Sequence, residues 1–476
     1  MIETLQNIFR IPDLRKRVLF LGLMLFVFRI GAHIHVPGVD WVAIKAVREA
    51  AGQGLFEFLD MFSGYAMRQI TVFALGIMPY ISASIILQLL TVVMPYLEKL
   101  SKEGELGRKK ITQYTRYGTV LISLIQGFGL TFYYQSMTAT VDGVNRSVLT
   151  TSAQGNILWW QILTVVTLTA GTAFIMWIGE QISERGIGNG ISLLIFAGII
   201  VGLPGAVVVT VEDLMGATAR GEGAMTPFKL ILLLVFMVVV VAAIVFVERG
   251  QRRIPVSYAK RVVGRRIYGG QSTYIPLRIN TAGVIPVIFA SSILLLPQWI
   301  FDNVANATGW AWARSVNNMI QYGQILYVLI YIAAIMFFCF FYTQIVFNPK
   351  DVADNMKKHG SFIPGKRPGR RTADYIGLVL NRVTTAGSLY LACIAVMPIF
   401  LLNGFRVETI PFVGEFLDRL LPTWFTRGMD IQFFFGGTSL LIVIGVAMDT
   451  VQQIESQLVM RHYDGFFKGS RIRGRR

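Results

Sequence analysis

Few residues of this chain have the types and spacing of a catalytic or metal site. The sequence contains neither the H-E-x-x-H pair that binds zinc nor the G-x-x-x-x-G-K-[ST] loop that holds nucleotide phosphates, and it has 4 His residues in 476. Gly186, Gly188 and Gly190 resemble a phosphate loop, but they precede an apolar run instead of following a strand. We therefore expect no cofactor, no metal site and no enzyme activity, so that any energy source lies in another protein.

Aliphatic side chains offer a different kind of chemistry, the exclusion of water. Ile81 and Ile85 are four positions apart and therefore share one face of a helix. Ile191 and Ile195 repeat this spacing. If several helices turned such side chains toward one axis, they would form a gate that closes by dewetting. Ordinary packing or contact with lipid is the alternative interpretation of each pair.

The composition indicates that the helices carrying these residues lie in a membrane. The chain is 54% hydrophobic and 15% charged, and its mean hydropathy is +0.57. A soluble core could not hide so much apolar surface. A helix of about 20 residues crosses a bilayer, and ten apolar runs are long enough to be read as such helices. We number the predicted spans one to ten: 18–36, 70–95, 117–135, 157–178, 187–207, 228–247, 282–300, 325–347, 383–402 and 433–451.

The first span follows Arg15, Lys16 and Arg17, so a cleaved secretory signal is the alternative interpretation of this segment. Its apolar run is longer than that of a typical signal, and it leads through His33 to Pro37 instead of a small-residue cleavage site. We therefore expect the span to be retained.

The basic residues predict the orientation of the chain. If the N-terminus is cytosolic, the cytosolic segments hold most of the 44 Lys and Arg residues. The positive-inside rule then places both termini on the cytosolic side of the membrane. The net charge of +17 is thereby concentrated on one membrane face.

Two internal echoes predict a duplicated fold. The segment GIMPYISASII at 76–86 returns as GVIPVIFASSI at 283–293, and GISLLI at 190–195 returns as GTSLLI at 437–442. Short apolar matches arise by chance, but both echoes are separated by five spans. Five is an odd number of crossings, so the second half is inverted with respect to the first. The predicted fold is an all-α multi-pass membrane protein with halves 1–211 and 227–476 joined by an external hinge at 212–226.

Residues 54–67, GLFEFLDMFSGYAM, are apolar but too short to span. They indicate a re-entrant half-helix, which is tolerated at membrane depth only inside protein or a water-filled cavity. The two acids of the segment, Glu57 and Asp60, favour a wet cavity over lipid. An amphipathic helix on the outer interface is the alternative.

Two cytosolic loops, 248–281 and 347–382, are long and rich in Lys and Arg, and a cytosolic tail follows at 452–476. Topology alone could account for basic loops. Their length and the Pro and Gly residues at 364–369 instead favour rigid protrusions that dock an acidic surface, either RNA phosphates or protein.

Six long motifs resemble the SecY family, the channel subunits of the bacterial protein translocon. They are GIMPYISASI, GEQISERGIGNGIS, VFVERGQRRIPVSYAKR, QSTYIPLRINTAGVIPVIFASS, FNPKDVADNMKKHGSFIPGKRPG and FGGTSLLIVIGVAMD. The resemblance extends over essentially the whole chain. It implies two pseudo-symmetric halves arranged as a clamshell around an hourglass pore. Unfolded chains cross this pore, while signal sequences and transmembrane segments leave sideways between spans two and three and spans seven and eight.

The resemblance also assigns roles to individual residues. The pore ring falls on Ile81, Ile85, Ile191, Ile195, Ile288 and Met397. Isoleucine is usual at the last position, so either Met397 softens the seal or the register in span nine is shifted. The plug at 54–67 includes Phe56, Phe58, Asp60, Phe62, Ser63 and Gly64. The lateral gate includes Pro79, Ser84, Gln88, Pro286, Ser291 and Ser292. Docking of the ribosome and of the SecA ATPase falls on Arg253, Lys260, Arg265, Arg266 and Arg367.

The partners implied by the family are SecE, SecG, SecA, the ribosome with its rRNA, signal sequences, preproteins and membrane lipid. A secondary transporter shares the inverted repeat, but it needs an ion or substrate site at the membrane midplane. Here Arg29 and Asp449 lie toward span ends, and the deep polar residues are mostly Ser, Thr and Gln. A membrane-embedded enzyme needs paired carboxylates, His or a nucleophile within the spans, and the sequence offers no such set.

Overall fold

A computed structural model describes most of the chain. The described residues are 11–50, 60–141, 144–220, 227–258, 261–263, 266–268, 272–308, 310–321, 323–403 and 437–469.

Within the described residues, ten long helices overlap the ten predicted spans. In chain order they are α1 (Pro12–Gly31), α3 (Met78–Val93), α5 (Glu105–Ser136), α7 (Ile157–Arg185), α8 (Gly190–Arg220), α9 (Pro227–Arg249), α10 (Ile285–Thr308), α12 (Ile325–Val346), α14 (Arg370–Asn403) and α15 (Gly437–Gly469). Shorter helices lie between them: α2 (Trp41–Ala50), α4 (Pro95–Lys102), α6 (Thr151–Gly155), α11 (Ala311–Ile320) and α13 (Pro349–Lys358). The all-α multi-pass fold predicted from the sequence is confirmed.

Length and apolar composition alone qualify four helices of the described residues to cross a membrane. They are Ile157–Arg185, Leu230–Arg249, Ile325–Lys358 and Arg370–Met397. A fifth candidate is the pair α3 and α4, which is bent by 100°. Gly190–Gly205 and Ile285–Leu294 are shorter apolar helices.

The second span begins later than the sequence predicted. Residues 70–77 form turns, and the helix starts at Met78 with Pro79 in its first turn. Proline suits this position because the first helical N–H groups have no partner within the helix. The turns are held by the chain near residue 35, since Val36 N donates to the Ile70 carbonyl and Val72 N donates to the Ile34 carbonyl, both at 2.9 Å.

Several helices are longer than the apolar runs that predicted them. The helix α5 begins at Glu105, α14 begins at Arg370, and α15 continues to Gly469. These additions are polar because a helix satisfies its own backbone hydrogen bonds and can continue into water beyond the hydrocarbon core. Apolar windows therefore detect the part of each helix in lipid but not its true end.

In the part of the chain that the structure describes, short strands form three small antiparallel sheets. In chain order the strands are β1 (Thr138–Val141), β2 (Val144–Ser147), β3 (Gln251–Tyr258), β4 (Arg261–Val263), β5 (Arg266–Tyr268), β6 (Ser272–Arg278) and β7 (Ser361–Phe362). The strand orders are β1-β2, β6-β3-β7 and β4-β5. Nothing in the apolar pattern of the sequence had predicted them.

The chain forms two compact units. The first unit contains Met1–Val208 and Val446–Arg476, and the second contains Val209–Gly445. In the first unit, an apolar cluster joins α2, the β1-β2 hairpin and the ends of α5 and α7 through Ile44, Val148, Tyr134 and Trp160. Trp160 Nε1 donates to the Pro37 carbonyl oxygen at 3.0 Å.

Glycine at 171 allows α7 to pack directly on the turns that precede α3. A Cβ atom at this position would collide with the Val72 carbonyl oxygen. We expect Gly171→Ala to destabilise the protein by about 1–3 kcal/mol, because the backbone must move apart. Gly22→Ala is the matched control, since a Cβ there meets nothing within 4 Å. Thermal unfolding in detergent checks this, and equal midpoints for the two variants would contradict the packing.

Candidate functional site

The first unit carries four of the predicted ring residues. Ile81 and Ile85 lie on α3 and are buried, and so is Ile195 on α8. Ile191 is half-buried, one residue after the start of α8. Its side chain packs against Gly179 of α7, where an added Cβ would lie 3.3 Å from Ile191 Cγ1. None of these four side chains is exposed as a lipid-facing residue would be.

The second unit carries the other two ring residues. Ile288 on α10 is buried, whereas Met397 on α14 is 37% exposed and adjoins the buried Val396. The assignment of Met397 to the ring therefore stays a prediction, and so does the register of span nine.

The two copies of the repeated motif have the same local structure. Gly76 and Gly283 both adopt positive φ, at 56° and 65°, a conformation that glycine reaches at little cost. Each glycine is followed by a helix whose second residue is proline, Pro79 in α3 and Pro286 in α10. Both prolines are buried. The echo in the sequence therefore reflects a repeated way of starting a helix.

Polar residues in and beside the two motifs form hydrogen bonds within their own helices. Gln88 Nε2 donates to Ser84 Oγ at 3.1 Å. Ser291 and Ser292 both donate to the Ile288 carbonyl oxygen, at 2.9 and 2.7 Å. Hydroxyl groups bonded in this way can lie on an apolar helix face without a partner from another element.

An ion pair that the sequence did not predict joins α5 and α7. Arg116 Nε and Nη2 donate to the two carboxylate oxygens of Glu180, at 2.8 and 2.7 Å. The bidentate geometry fixes the two helices to one another more specifically than a single charge contact does. No sequence signal pointed to it, because the partners are 64 residues apart and each resembles an ordinary charge at a helix end.

The described part of the predicted plug begins at Asp60, and Phe56 and Phe58 lie outside the described residues. Asp60 is 0% exposed, which corrects the expectation that this acid faces a wet cavity. Its Oδ1 accepts from the backbone N–H groups of Met67 and Arg68, at 2.8 and 3.1 Å, and from Ser63 Oγ at 3.2 Å. The backbone and the Ser63 hydroxyl thus supply to Oδ1 the hydrogen bonds that water would otherwise give.

Asp60 lies outside the spanning helices, and burial raises the pKa of its carboxyl group to about 6. Hydrogen bonds and the charge of Arg68 oppose this increase, with Arg68 Nε lying 3.5 Å from Asp60 Oδ2. Phe62 and Ser63 are buried beside it. The segment that includes Asp60 is therefore a closed, polar turn within the first unit.

The same turn is attached to two spanning helices. Arg29 Nη1 of α1 donates to the Gly64 carbonyl oxygen at 3.0 Å. Tyr134 of α5 donates to the Met67 carbonyl oxygen at 3.4 Å. Gly64 has a φ of 71°, and its Cα lies against Gly198 of α8. The turn is thus held from three sides.

The two basic loops form one folded platform, which the sequence analysis treated as two protrusions. The strand β3 from the first loop pairs with β6 on one side and with β7 of the second loop on the other. Both loops contribute to a shared apolar core, together with the first turns of α14: Ile254, Val256, Leu277, Met356, Ile363, Ile376 and Leu380. Strand pairing between segments so distant in sequence carries no local signal.

Cations cover the surface of this platform. Arg253 is exposed and lies 4.7 Å over the ring of Tyr274. Lys366 lies 5.2 Å over the ring of Tyr375, and the adjacent Arg367 is exposed. Of the other predicted docking residues, Lys260 and Arg265 lie outside the described residues, and Arg266 is described only as part of β5.

Comparison with known proteins gives the family. The SecY family model matches residues 71–451. A protein translocase subunit SecY of Streptomyces galbus is 47% identical in an alignment 478 residues long, which covers 98% of this chain and 100% of the relative. The chain belongs to the SecY family. The SecY subunit of Escherichia coli strain K12 is 45% identical over 462 residues, 97% of this chain and 96% of the relative.

Solved structures share the fold of this SecY chain at low sequence identity. A protein-conducting channel aligns with a TM-score of 0.56 at 18% identity, covering 94% of this chain and 93% of the other. Sec61 from the canine ribosome-channel complex aligns with a TM-score of 0.55 at 16% identity, covering 94% of this chain and 93% of the other.

Within the described residues, no group of three or more His, Cys, Asp or Glu side chains could hold a metal ion.

Proposed function

We propose that this chain is the central subunit of a protein-conducting channel that passes unfolded preproteins across the bacterial plasma membrane. The single observation that carries the proposal is its likeness over 98% of its length to a protein translocase subunit. The likeness in fold to a protein-conducting channel supports it. The matched relatives are translocase subunits, and no observation favours the alternative of a secondary transporter.

The barrier in this proposal is a ring of aliphatic side chains contributed by both halves, 1–211 and 227–476. Its members are Ile81, Ile85, Ile191, Ile195, Ile288 and Met397. Apolar side chains exclude ions by dewetting, and they have no specific affinity for the sequence that passes. The burial of Ile81, Ile85, Ile195 and Ile288 supports the assignment.

Apolar segments leave the channel sideways, between the helices that carry the repeated motifs. Pro79, Ser84 and Gln88 lie on one side of this lateral gate, and Pro286, Ser291 and Ser292 lie on the other. A signal helix that moves from water into lipid gains roughly 25 cal/mol per Å² of apolar surface. This free energy, with a hinge at 212–226, biases the two halves toward the open state.

The segment 54–67 acts as a plug, held in the closed state by the Asp60 turn. Asp60→Ala removes the acceptor of two backbone N–H groups and should destabilise this turn by roughly 1–3 kcal/mol. We expect idle channels with this substitution to leak ions. Asp60→Asn is the matched variant, since it keeps one acceptor oxygen and should leak less. Equal conductance of all three proteins in planar bilayers would contradict the role of the turn.

Transport is driven from outside this chain, by SecA or by the translating ribosome. The exposed cations of the platform suit phosphates or acidic side chains. Two of the neighbours in fold were solved on ribosomes, Sec61 from the canine endoplasmic reticulum and the yeast Ssh1 complex. Because the basic loops are cytosolic, both termini are cytosolic as well.

SecE and SecG complete the channel, and their membrane helices and lipid cover its exposed apolar faces. The helix α9 offers such a face, because only 12% of the apolar stretch in its span, Leu230–Arg249, is buried inside the protein. An apolar groove of about 990 Å³ runs beside it, lined by Leu234, Met237, Val241 and Val245.

Reconstitution tests the proposed function most directly. Vesicles with this chain, SecE and SecG receive a labelled preprotein, SecA and ATP, and translocation is measured as protection of the label from added protease. We expect protection that requires SecA, ATP and an intact signal sequence. Saturable uptake of a small molecule without any protected preprotein would overturn the proposal.

A further inference from the structure

The connection between the cytosolic platform and α10 is a partly buried polar joint. Asn280 lies between the end of β6 and the start of α10, and it is 4% exposed. Its Nδ2 donates to Glu248 Oε1, in the last turn of α9, at 2.6 Å. A carboxylate can only accept, so the amide nitrogen of Asn280 must face it. The contact thus joins the end of α9 to the segment that leads into α10, at the foot of the β3-β6 hairpin.

The backbone around this contact is fixed as well. Ile279 N donates to the Gly250 carbonyl oxygen at 3.0 Å, which closes the base of the hairpin. On the other side, Gly387 of α14 packs so closely on Ile279 that a Cβ there would collide with the Ile279 carbonyl oxygen. Residue 279 therefore cannot shift without moving α9, α14 or both.

The hairpin beyond the joint is stiff. The strands β3 and β6 pair over seven consecutive positions, from Gln251 with Arg278 to Ser257 with Ser272. Its outer end is fastened to β7 and to the platform core. A force on the platform is therefore carried along β6 to Asn280, a few residues before α10 begins at Ile285.

We propose that Glu248 and Asn280 are positioning residues that couple the cytosolic platform to the N-terminal end of α10, the helix with the second copy of the repeated motif. The inference rests on the proposed docking of a driving partner. It adds that docking and gate opening are separable, because the joint touches neither the exposed cations nor the motif residues. A channel with a broken joint binds its motor normally and responds to it weakly.

An isosteric pair of substitutions tests the joint. Asn280→Asp sets two carboxylates against each other, whereas Glu248→Gln with Asn280→Asp restores an amide and a carboxylate with donor and acceptor exchanged. Thr273→Asp is the control, since it adds the same charge to an exposed position of β6, away from the joint. All three substituted side chains keep nearly their original size, so the platform core is undisturbed.

The first readout is translocation at increasing SecA concentration. For Asn280→Asp we expect the maximal rate to fall by about tenfold, as for the loss of one buried charge-assisted hydrogen bond, while the SecA concentration for half-maximal rate is unchanged. The double variant should recover most of the rate. The proposal would be overturned if Asn280→Asp had an unchanged maximal rate or only raised the SecA concentration for half-maximal rate. It would also be overturned if the double variant had no higher maximal rate than Asn280→Asp.

The second readout needs no partner. Hydrogen exchange of the purified channel should become faster over residues 279–288 in Asn280→Asp and return to its original rate in the double variant. If the unsubstituted channel shows no SecA-driven transport, the proposed function fails, and exchange alone then decides the joint. Equal hydrogen exchange over residues 279–288 in the unsubstituted channel, Asn280→Asp, the double variant and Thr273→Asp would overturn the proposal.

Discussion

Replacing Arg367 by glutamate should reduce SecA- or ribosome-driven transport by about tenfold or more, because reversing a charge at a complementary surface adds repulsion to the lost attraction. Arg367 is exposed and adjoins Lys366, which lies over the ring of Tyr375. The surrounding platform is fixed by the β3-β7 pairing. Arg367 therefore presents its charge from a rigid support, and the substitution should leave insertion of the channel unchanged.

The measurement is protease-protected preprotein as a function of SecA concentration and of salt. Attraction between exposed charges weakens with ionic strength, so the deficit of Arg367→Glu should shrink at high salt. Arg314→Glu is the matched control, since Arg314 is exposed on α11, outside the platform. Equal transport by Arg367→Glu and the unsubstituted channel would remove Arg367 from the docking surface.

Asparagine in place of an isoleucine of the predicted ring should have the second large effect. Ile85→Asn and Ile288→Asn place an amide at a buried position of α3 or α10. An amide attracts water, and hydration of a hydrophobic constriction removes the dewetting that closes it. We expect the ion conductance of idle channels to be at least about tenfold above the unsubstituted level. An amide without a partner in an apolar site costs several kcal/mol, so water is drawn in to be its partner.

The chain offers a matched control for each ring variant. Ile86 follows Ile85 on α3 and is 49% exposed, and Ile293 lies on α10 and is 42% exposed. Ile86→Asn and Ile293→Asn therefore change the same side chain on the same helix at exposed positions. The ring variants should also export preproteins with defective signals, and the controls should not. Unchanged conductance and unchanged signal selectivity of the ring variants would count against the ring.

Local pattern accounts for the parts of this structure that the sequence predicted well. The apolar runs of about twenty residues located the spanning helices, because a helix in lipid needs that length and that composition whatever its neighbours are. The echo of Gly76 and Pro79 in Gly283 and Pro286 likewise predicted a shared local structure. Positive φ and a proline in the first turn are properties of the residues themselves.

Helix ends were predicted less well, since polar residues continue a helix beyond the membrane without an apolar signal. The helix α5 begins at Glu105, although its apolar run begins near residue 117. In the opposite direction, residues 70–77 read as part of a span but form turns, and two of their backbone hydrogen bonds, at Ile70 and Val72, go to the chain at 34–36. Composition alone does not reveal a partner strand.

The sequence by itself determined that this is a multi-pass helical membrane protein with a repeated motif and basic loops, since solvent and local backbone preference impose these features residue by residue. Tertiary structure decided the rest. It buried Asp60 in a turn closed by backbone N–H groups, paired Arg116 with Glu180, folded two loops into one platform and joined Glu248 to Asn280. Each of these contacts joins groups brought together by folding, and their energies depend on burial and distance, which periodicity does not encode.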